Sequence, residues 1–386
     1  MNQMSWTPSG PPSPPPVPGP PPMPVAFAGD RADFFRLVQR GAGLELVTLG
    51  FYRFWLATDI RRHLWSHTEI DGDAAEYTGR GKELLIGFLV AMAILVPVYL
   101  AYFLAGLEAE RFKAFASFPL FVFFYVFGQF AIYRARRYRL TRTVWRGVRF
   151  WMSGSGWAYA ARATLWGLLV MVTLGLALPW RNAALERYKM RHSFYGDLQG
   201  SFEGRGWEFF KRGWWLWLLA PIAYLVWPMA PFVYGAFRAV EWRWWLSGIR
   251  FGGVRLESTL RKSALIGLYW KVIGWIAFLA AVFAAYLVIC SALVASMSGT
   301  PFEQFFKSQE FLKSIPLLVL AGLGYLMVVL AINVVMRVYL MRDLWVRIVG
   351  STIVLDIGAA ANVSARGELA NALGEGFADG LDVAGF

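Results

Sequence analysis

The stretch LLVMVTLGLALPWRNAALERY (168–188) is apolar for its first thirteen residues and basic after that, with Gly175 and Pro179 where the character changes. It is either a membrane crossing that strands its arginines on the far side or a hairpin that turns back. Glycine tolerates a positive φ, and proline suits the first turn of a helix. The reading adopted is therefore a helix to about Val172, a break through Gly175 and Pro179, and a second helix from near Trp180. The same phrase occurs earlier: TLGFYRFW (48–55) answers TLGLALPW (173–180), and a basic run follows each. Aligning the two places Trp55 on Trp180, Arg62 on Arg187 and His67 on His192. Gly50 then answers Gly175. In LVWPMAPFVYGAFRAVEW (225–242), Pro228 and Pro231 predict a further bend.

Charge supports the hairpin. Residues 134–162 carry eight arginines and no acid, 181–212 carry seven basic and four acidic residues, and 238–271 seven and two. Lysine and arginine concentrate in cytoplasmic loops. One plain crossing between consecutive basic stretches would put one of them outside, whereas a hairpin returns the chain to the same side.

The class follows from long uncharged runs. Of 386 residues, 57% are hydrophobic and 16% charged, against about 25% charged in soluble domains. The runs 84–106, 114–133, 213–237, 272–298 and 314–336 carry no charge. Each reaches the roughly 20 residues that a helix needs to cross about 30 Å of hydrocarbon; the run 163–180 is shorter. The pairs 84–106/114–133 and 272–298/314–336 read as ordinary crossings. The expected fold is an all-α polytopic membrane bundle with four firm crossings and up to three broken or re-entrant helices.

Cys290 is the single cysteine, which excludes an intramolecular disulfide and a Cys-rich metal site. The net charge of +13 is read as the cytoplasmic arginine bias rather than nucleic-acid binding. Residues 1–26 hold eleven prolines and read as a disordered or polyproline cytoplasmic tail, without the layout of a secretory signal. A unit of glycine turn, apolar helix, break and basic helix ending at a glycine recurs near 27–76, 77–150, 151–201, 202–254 and 255–350. In it Arg62 precedes Gly72, Arg137 Gly147, Arg187 Gly196 and Arg243 Gly253. Residues 351–386 form a Gly/Ala-rich tail in which Leu369, Leu373, Phe377 and Leu381 suggest a short amphipathic helix.

The segment from FAGDRADFF (27–35) through the TLG phrase to DGDAAEYTG (71–79) resembles the bacterial YjgN-like inner-membrane family, a domain of unknown function. The matching positions are Phe27, Gly29, Phe34 and Phe35, then Thr48, Leu49, Gly50, Tyr52 and Trp55, then Asp71, Gly72, Tyr77 and Gly79. The likeness is specific over 27–90 and looser to about 260. It implies a multi-pass bacterial inner-membrane protein and brings no catalytic residues. Arg36, Arg40 and Glu45 make the first apolar segment more polar than that family's pattern.

Candidate chemistry is sparse. His63 and His67 share a helical face near Glu69, Asp71 and Asp73, but they read as a solvated helix end. The GRG turns at 79–81 and 204–206 lack the remainder of a phosphate-binding loop. No cofactor or metal is expected, and no nucleophile–base pair points to an enzyme. Helix breaks expose backbone to a solute, so Gly50, Gly175, Pro179, Pro228 and Pro231, with Glu45 as the one acid in an apolar segment, are the pathway candidates. Arg36 or Arg40 is the expected partner of Glu45. Arg62, Arg137, Arg187, Arg243, Trp55 and Trp180 are the candidates for anionic lipid headgroups. The bilayer is the expected partner, with no nucleic acid and with oligomeric state open. Both termini are expected on the cytoplasmic side. Transport of an unidentified solute and a non-transporting, lipid-interacting scaffold are the two functions carried forward.

Overall fold

A computed structural model describes residues 22–108, 113–299, 301–307, 314–367 and 369. Of the tail expected over 1–26, residues 1–21 lie outside those described, while its end is not a loose tail, since Met23–Pro24 and Ala26–Phe27 are strands; the helix expected over 369–381 lies outside them apart from Leu369.

The chain starts with β1 (Met23–Pro24), β2 (Ala26–Phe27), α1 (Arg31–Val47), α2 (Arg53–Ser66), β3 (Thr68–Ile70), β4 (Asp73–Ala74) and β5 (Glu76–Tyr77). It continues through α3 (Gly81–Glu108), α4 (Lys113–Thr141), β6 (Thr143–Trp145), β7 (Val148–Met152), α5 (Gly156–Val172), α6 (Leu178–Arg191), β8 (Ser193–Tyr195) and β9 (Leu198–Phe202). Then follow α7 (Gly206–Leu225), α8 (Ala230–Gly248), β10 (Ile249–Phe251), β11 (Val254–Ser258), α9 (Ile266–Met297), α10 (Phe302–Lys307) and α11 (Ile315–Val335). A π-helical stretch (Met336–Arg342), α12 (Asp343–Val349) and β12 (Thr352–Leu355) follow.

The all-α expectation is corrected by the strands. They form a nine-stranded antiparallel sheet and a three-stranded one, and the two sheets join. β1 and β2 lie on one extended stretch, 23–27, whose first half pairs with β12 and whose second half pairs with β3. β4 and β5 likewise share 73–77, pairing with β3 and then β6. Successive strands pair antiparallel from β6 to β12. The hydrogen bonds therefore return to their starting point in a closed ring, which leaves no exposed edge. Glycines expected to end basic helices instead lie in the tight turns of this ring: Gly72 and Gly147 have φ of 78° and 74°, and each follows a residue that is also left-handed, Asp71 or Arg146. Two successive positive φ values match the twist of a strand hairpin.

Side chains fill the ring. Val25, Trp145, Tyr195 and Val354 meet at its centre, with Phe150, Leu198, Phe251 and Leu256 packed against them. Trp345 of α12 enters from the helix side, donating to Thr68 Oγ1 at 3.0 Å. Ile357 and Ala360 join this core beyond β12, and the chain crosses the tight-turn rim, where Ser364 N–H donates to Asp197 Oδ1 at 3.1 Å. The ring is a packed core, and apolar burial is what holds it.

Five helical pairs are inserted between paired strands. Because the strands alternate in direction, all five pairs leave from one rim and the tight turns occupy the other. α3, α4, α9 and the helix from α11 through α12 are long and apolar enough to cross a membrane, over Gly81–Leu104, Phe118–Thr141, Ile266–Met297 and Ile315–Val349. The pairs α1–α2, α5–α6 and α7–α8 are shorter.

The two TLG phrases have one local structure. Gly50 N–H donates to Glu45 O at 2.7 Å, and Gly175 N–H to Val170 O at 2.8 Å. This i→i−5 bond, with a left-handed residue before the glycine, is the Schellman helix ending. That residue is leucine in both copies, Leu49 and Leu174, each at φ 50°. The threonine hydroxyl ties the two helices together. Thr48 Oγ1 donates to Leu44 O at 2.7 Å and accepts from Tyr52 N at 2.9 Å. Thr173 Oγ1 donates to Leu169 O at 2.8 Å and accepts from Ala177 N at 3.1 Å. Replacing either threonine by valine keeps the shape and removes both bonds. Each substitution should destabilise the protein by about 1 kcal/mol, read as an earlier unfolding transition in detergent micelles; an unchanged transition would show that the hydroxyl is dispensable.

Candidate functional site

Positions related by the TLG alignment have opposite chemistry inside the two hairpins. On α2, Leu56, Ile60 and Leu64 are fully buried against Phe34 and Val38 of α1. On α6 the corresponding residues are Arg181, Leu185 and Lys189, and Glu186 stands where α2 has Arg61. The inner face of α6 is therefore ionic where that of α2 is apolar.

That face borders a cavity of about 450 Å³ between α4, α5, α6 and α8. Gln129 and Arg136 come from α4 and Tyr159 from α5. Arg181, Asn182, Glu186 and Lys189 come from α6, and Arg238 and Glu241 from α8. Trp242, Trp244 and Trp245 close one side. Arg136 Nη1 lies 3.0 Å from Glu186 Oε2, and Lys189 pairs with the other oxygen of that carboxylate. Asn182 Nδ2 donates to Glu241 Oε1 at 3.2 Å, and Arg238 pairs with Oε2. Four cationic groups thus face two carboxylates. Arg181 has no ion pair among the described residues, and its buried Nε has no hydrogen-bond partner.

The two carboxylates are held differently. Burial alone would raise the Glu186 pKa, but Lys189 and Arg136 together overcome it and bring it down to about 2. Glu241 is raised, because burial outweighs the attraction of Arg238 and the nearby Glu186 adds repulsion. A buried charge persists only where partners offset its desolvation, so Glu186 is the fixed anion of the site.

The pathway candidates are not brought together here. Gly50 and Gly175 sit in the TLG bends with φ of 89° and 91°, and Pro179 lies in the first turn of α6. Pro228 is in the short 3-10 turn Trp227–Met229, and Pro231 in the first turn of α8. None of the five lines the cavity. Glu45 is buried, and its expected partner is corrected: it is held by Arg337, from the opposite end of the chain, at 3.1 and 2.8 Å. Arg36 instead pairs with Asp33. Glu45 and Arg337 belong to helices that meet only once the ring is closed, and sequence spacing favours the near arginine.

Among the headgroup candidates, Arg62 lies 3.3 Å from Asp59 and donates to Gly79 O at 3.3 Å. Arg187 and Arg243 are exposed. Arg137 is partly buried. Trp55 and Trp180 are each 37% exposed, and both mark a close approach. A Cβ on Gly81 would come within 2.7 Å of the Trp55 Cα, and one on Gly206 within 2.8 Å of the Trp180 Cα. The second glycine of each GRG turn is thus needed for backbone packing. His63 and His67 rings lie 4.2 Å apart, while Asp71 and Asp73 are taken by Arg146 at 2.7 and 2.5 Å. Spacing alone did not reveal Arg136, Glu186, Asn182, Arg238 and Glu241 as one site. The available signal was the change from Leu56 to Arg181 and from Leu64 to Lys189 between the aligned hairpins.

A family model described as bacterial protein of unknown function (DUF898) matches residues 22–241. The chain belongs to this family. The YjgN-like resemblance points to the same family. The matched segment includes every cavity residue except the three tryptophans at 242, 244 and 245. No curated protein and no solved structure matches the chain.

Proposed function

We propose that the protein is a multi-pass bacterial inner-membrane protein that takes a small anionic solute into the cavity between α4, α5, α6 and α8 as a step in its transport. The reading rests on Arg181, a cation in the cavity that no carboxylate neutralises. Gln129, Asn182 and Tyr159, which line the same cavity, offer further donors, and the three tryptophans add apolar lining beside them.

In this reading the three short helical pairs dip into the bilayer and return, and the hairpins arose by duplication of one unit. The exposure of the bends supports the first part. Leu49 and Leu174 are 90% and 92% exposed, although the left-handed conformation costs about 1–2 kcal/mol at a residue with a Cβ. In water such a leucine gains nothing; in hydrocarbon its burial offsets the strain. The arginine-rich ends of α4, α6 and α8 lead to the strand ring, which supports reading the ring as cytoplasmic, with the chain's termini on the same side.

Flux in sealed proteoliposomes tests the function with chloride, phosphate and small carboxylates. Arg181→Leu installs the residue that the first hairpin carries at the aligned position. It should lower flux of the transported anion about tenfold or more, the loss of one charge-assisted contact, while Arg243→Leu, on the exposed face of α8, leaves it unchanged. Equal flux through wild type and Arg181→Leu would sink the proposal, as would a wild type that moves none of these anions.

A further inference from the structure

The outer face of the α5–α6 hairpin carries a second basic site, separate from the cavity. A pocket of about 660 Å³ is lined by Arg162 and Trp166 of α5 and by Arg187, Tyr188 and Arg191 of α6, with His192 at its base. All three arginines are exposed, and none has an ion pair among the described residues. Arg187 and Arg191 stand four apart on one helical face, where like charges repel. Their neighbours are ordered: the Arg162 guanidinium lies 4.4 Å from the centre of the Tyr188 ring. The Tyr188 hydroxyl donates to Ser155 O at 3.0 Å, and His192 Nδ1 donates to Tyr188 O at 2.7 Å.

The first hairpin serves as an internal comparison. His67 Nδ1 makes the same 2.7 Å bond, to His63 O, yet the pocket is not assembled. Arg62, aligned with Arg187, is neutralised by Asp59 at 3.3 Å; on α6 that acid is Ala184. Leu37, Gly41 and Ser66 stand where the third hairpin has Arg162, Trp166 and Arg191. The third hairpin therefore carries two arginines and a tryptophan that the first does not, and lacks the neutralising acid.

What lies above the arginines distinguishes a lipid from a free anion. Toward the bend, α5 exposes Leu165, Leu169, Met171 and Val172, and Leu174 follows. A cluster of cations at the base of an exposed apolar wall matches a phosphodiester with acyl chains attached. We propose that the α5–α6 groove binds one anionic phospholipid, its phosphate held by Arg162, Arg187 and Arg191 and its chains lying along the leucines. This rests on the membrane reading but not on transport through the cavity.

Native mass spectrometry of the full chain in detergent micelles tests it, with phosphatidylglycerol, phosphatidylcholine, glycerol phosphate and inorganic phosphate as probes. Wild type should hold one phosphatidylglycerol in preference to phosphatidylcholine. The combined Arg162→Ala, Arg187→Ala, Arg191→Ala variant should hold it at least about tenfold more weakly. Ala184→Asp, which restores the acid of the first hairpin, should weaken it in the same direction, and Arg255→Ala, on β11 where that arginine pairs with Asp356, should not. Undiminished phosphatidylglycerol retention by the triple variant would overturn the site, and so would equal retention of phosphatidylcholine. Binding of inorganic phosphate or glycerol phosphate as tightly as the lipid would show an anion site without a role for the apolar wall, which also overturns it. Each result is obtained without flux, so failure here leaves the cavity proposal standing.

Discussion

Glu186→Ala should destabilise the protein by about 3–5 kcal/mol, because it leaves the largely buried Arg136 and Lys189 without their shared counter-charge. Arg136 Nη1 lies 3.0 Å from this carboxylate, and its other terminal nitrogen reaches only Met190 Sδ, at 3.1 Å. Replacing Arg136 and Glu186 together by Met and Leu should recover much of the loss, since an apolar pair of similar volume removes both desolvation terms. Chemical denaturation in micelles measures both effects, and a single variant as stable as wild type would show that the pair contributes nothing. The pH dependence carries a sign. The carboxyl of Glu186 is lowered to about 2 in the fold, from the 4–4.5 of an unfolded chain. The stability it supplies is therefore fully present above about pH 4.5 and falls as the pH drops from there toward 2. Glu241 is shifted upward by burial, so its contribution runs the other way and declines as the pH rises through its folded value. Acid titration of Glu186→Ala should show less loss between pH 4.5 and 2 than wild type does.

The second large effect is expected at Glu45. Its carboxylate takes both terminal nitrogens of Arg337, at 3.1 and 2.8 Å, and is itself buried. Arg337 lies inside the span Ile315–Val349, in the π-helical stretch Met336–Arg342. A π-helical stretch shifts the register of the side chains that follow it. Glu45→Ala strips an arginine in an apolar helix of its partner and should cost about 3–5 kcal/mol. Arg337→Leu should cost a similar amount by orphaning the acid. The double variant should be less destabilised than the sum, by a coupling of about 1–3 kcal/mol. Additive losses would show that the two charges do not act as a pair. Because α1 and the π-helical stretch come from the first and last helical hairpins, the same variants should loosen the closure of the helical ring. Faster amide exchange in α1 and α11 than in α5 and α6 would report that.

Much of the architecture could be read from local chemistry. The four long apolar helices match the uncharged runs at 84–106, 114–133, 272–298 and 314–336, because hydrocarbon thickness sets a length that composition alone reveals. The ends at Val172 and the restart by Pro179 were legible because a Schellman ending and a proline in the first helical turn are decided within about six residues. The strands were not legible. They are two to five residues long, too short to display an alternating pattern, although Asp71-Gly72, Gly196-Asp197 and Gly252-Gly253 are each a conventional hairpin-turn pair. The cavity is half legible: Gln129 is a polar residue in the uncharged run 114–133, whereas Arg136 falls in the arginine-rich stretch 134–162, and only the structure shows that both lie on one helix, α4.

The amino-acid sequence by itself determined which segments prefer oil and where the helices bend, since each depends on a short stretch of chain. Only the tertiary structure decided how β1 meets β12 to close the ring, that Glu45 belongs to Arg337, and that Arg181 is left without an acid. Those outcomes join residues up to about 330 positions apart. Charge–charge energies depend on distance and local dielectric, and neither exists until the ring has brought the helices together.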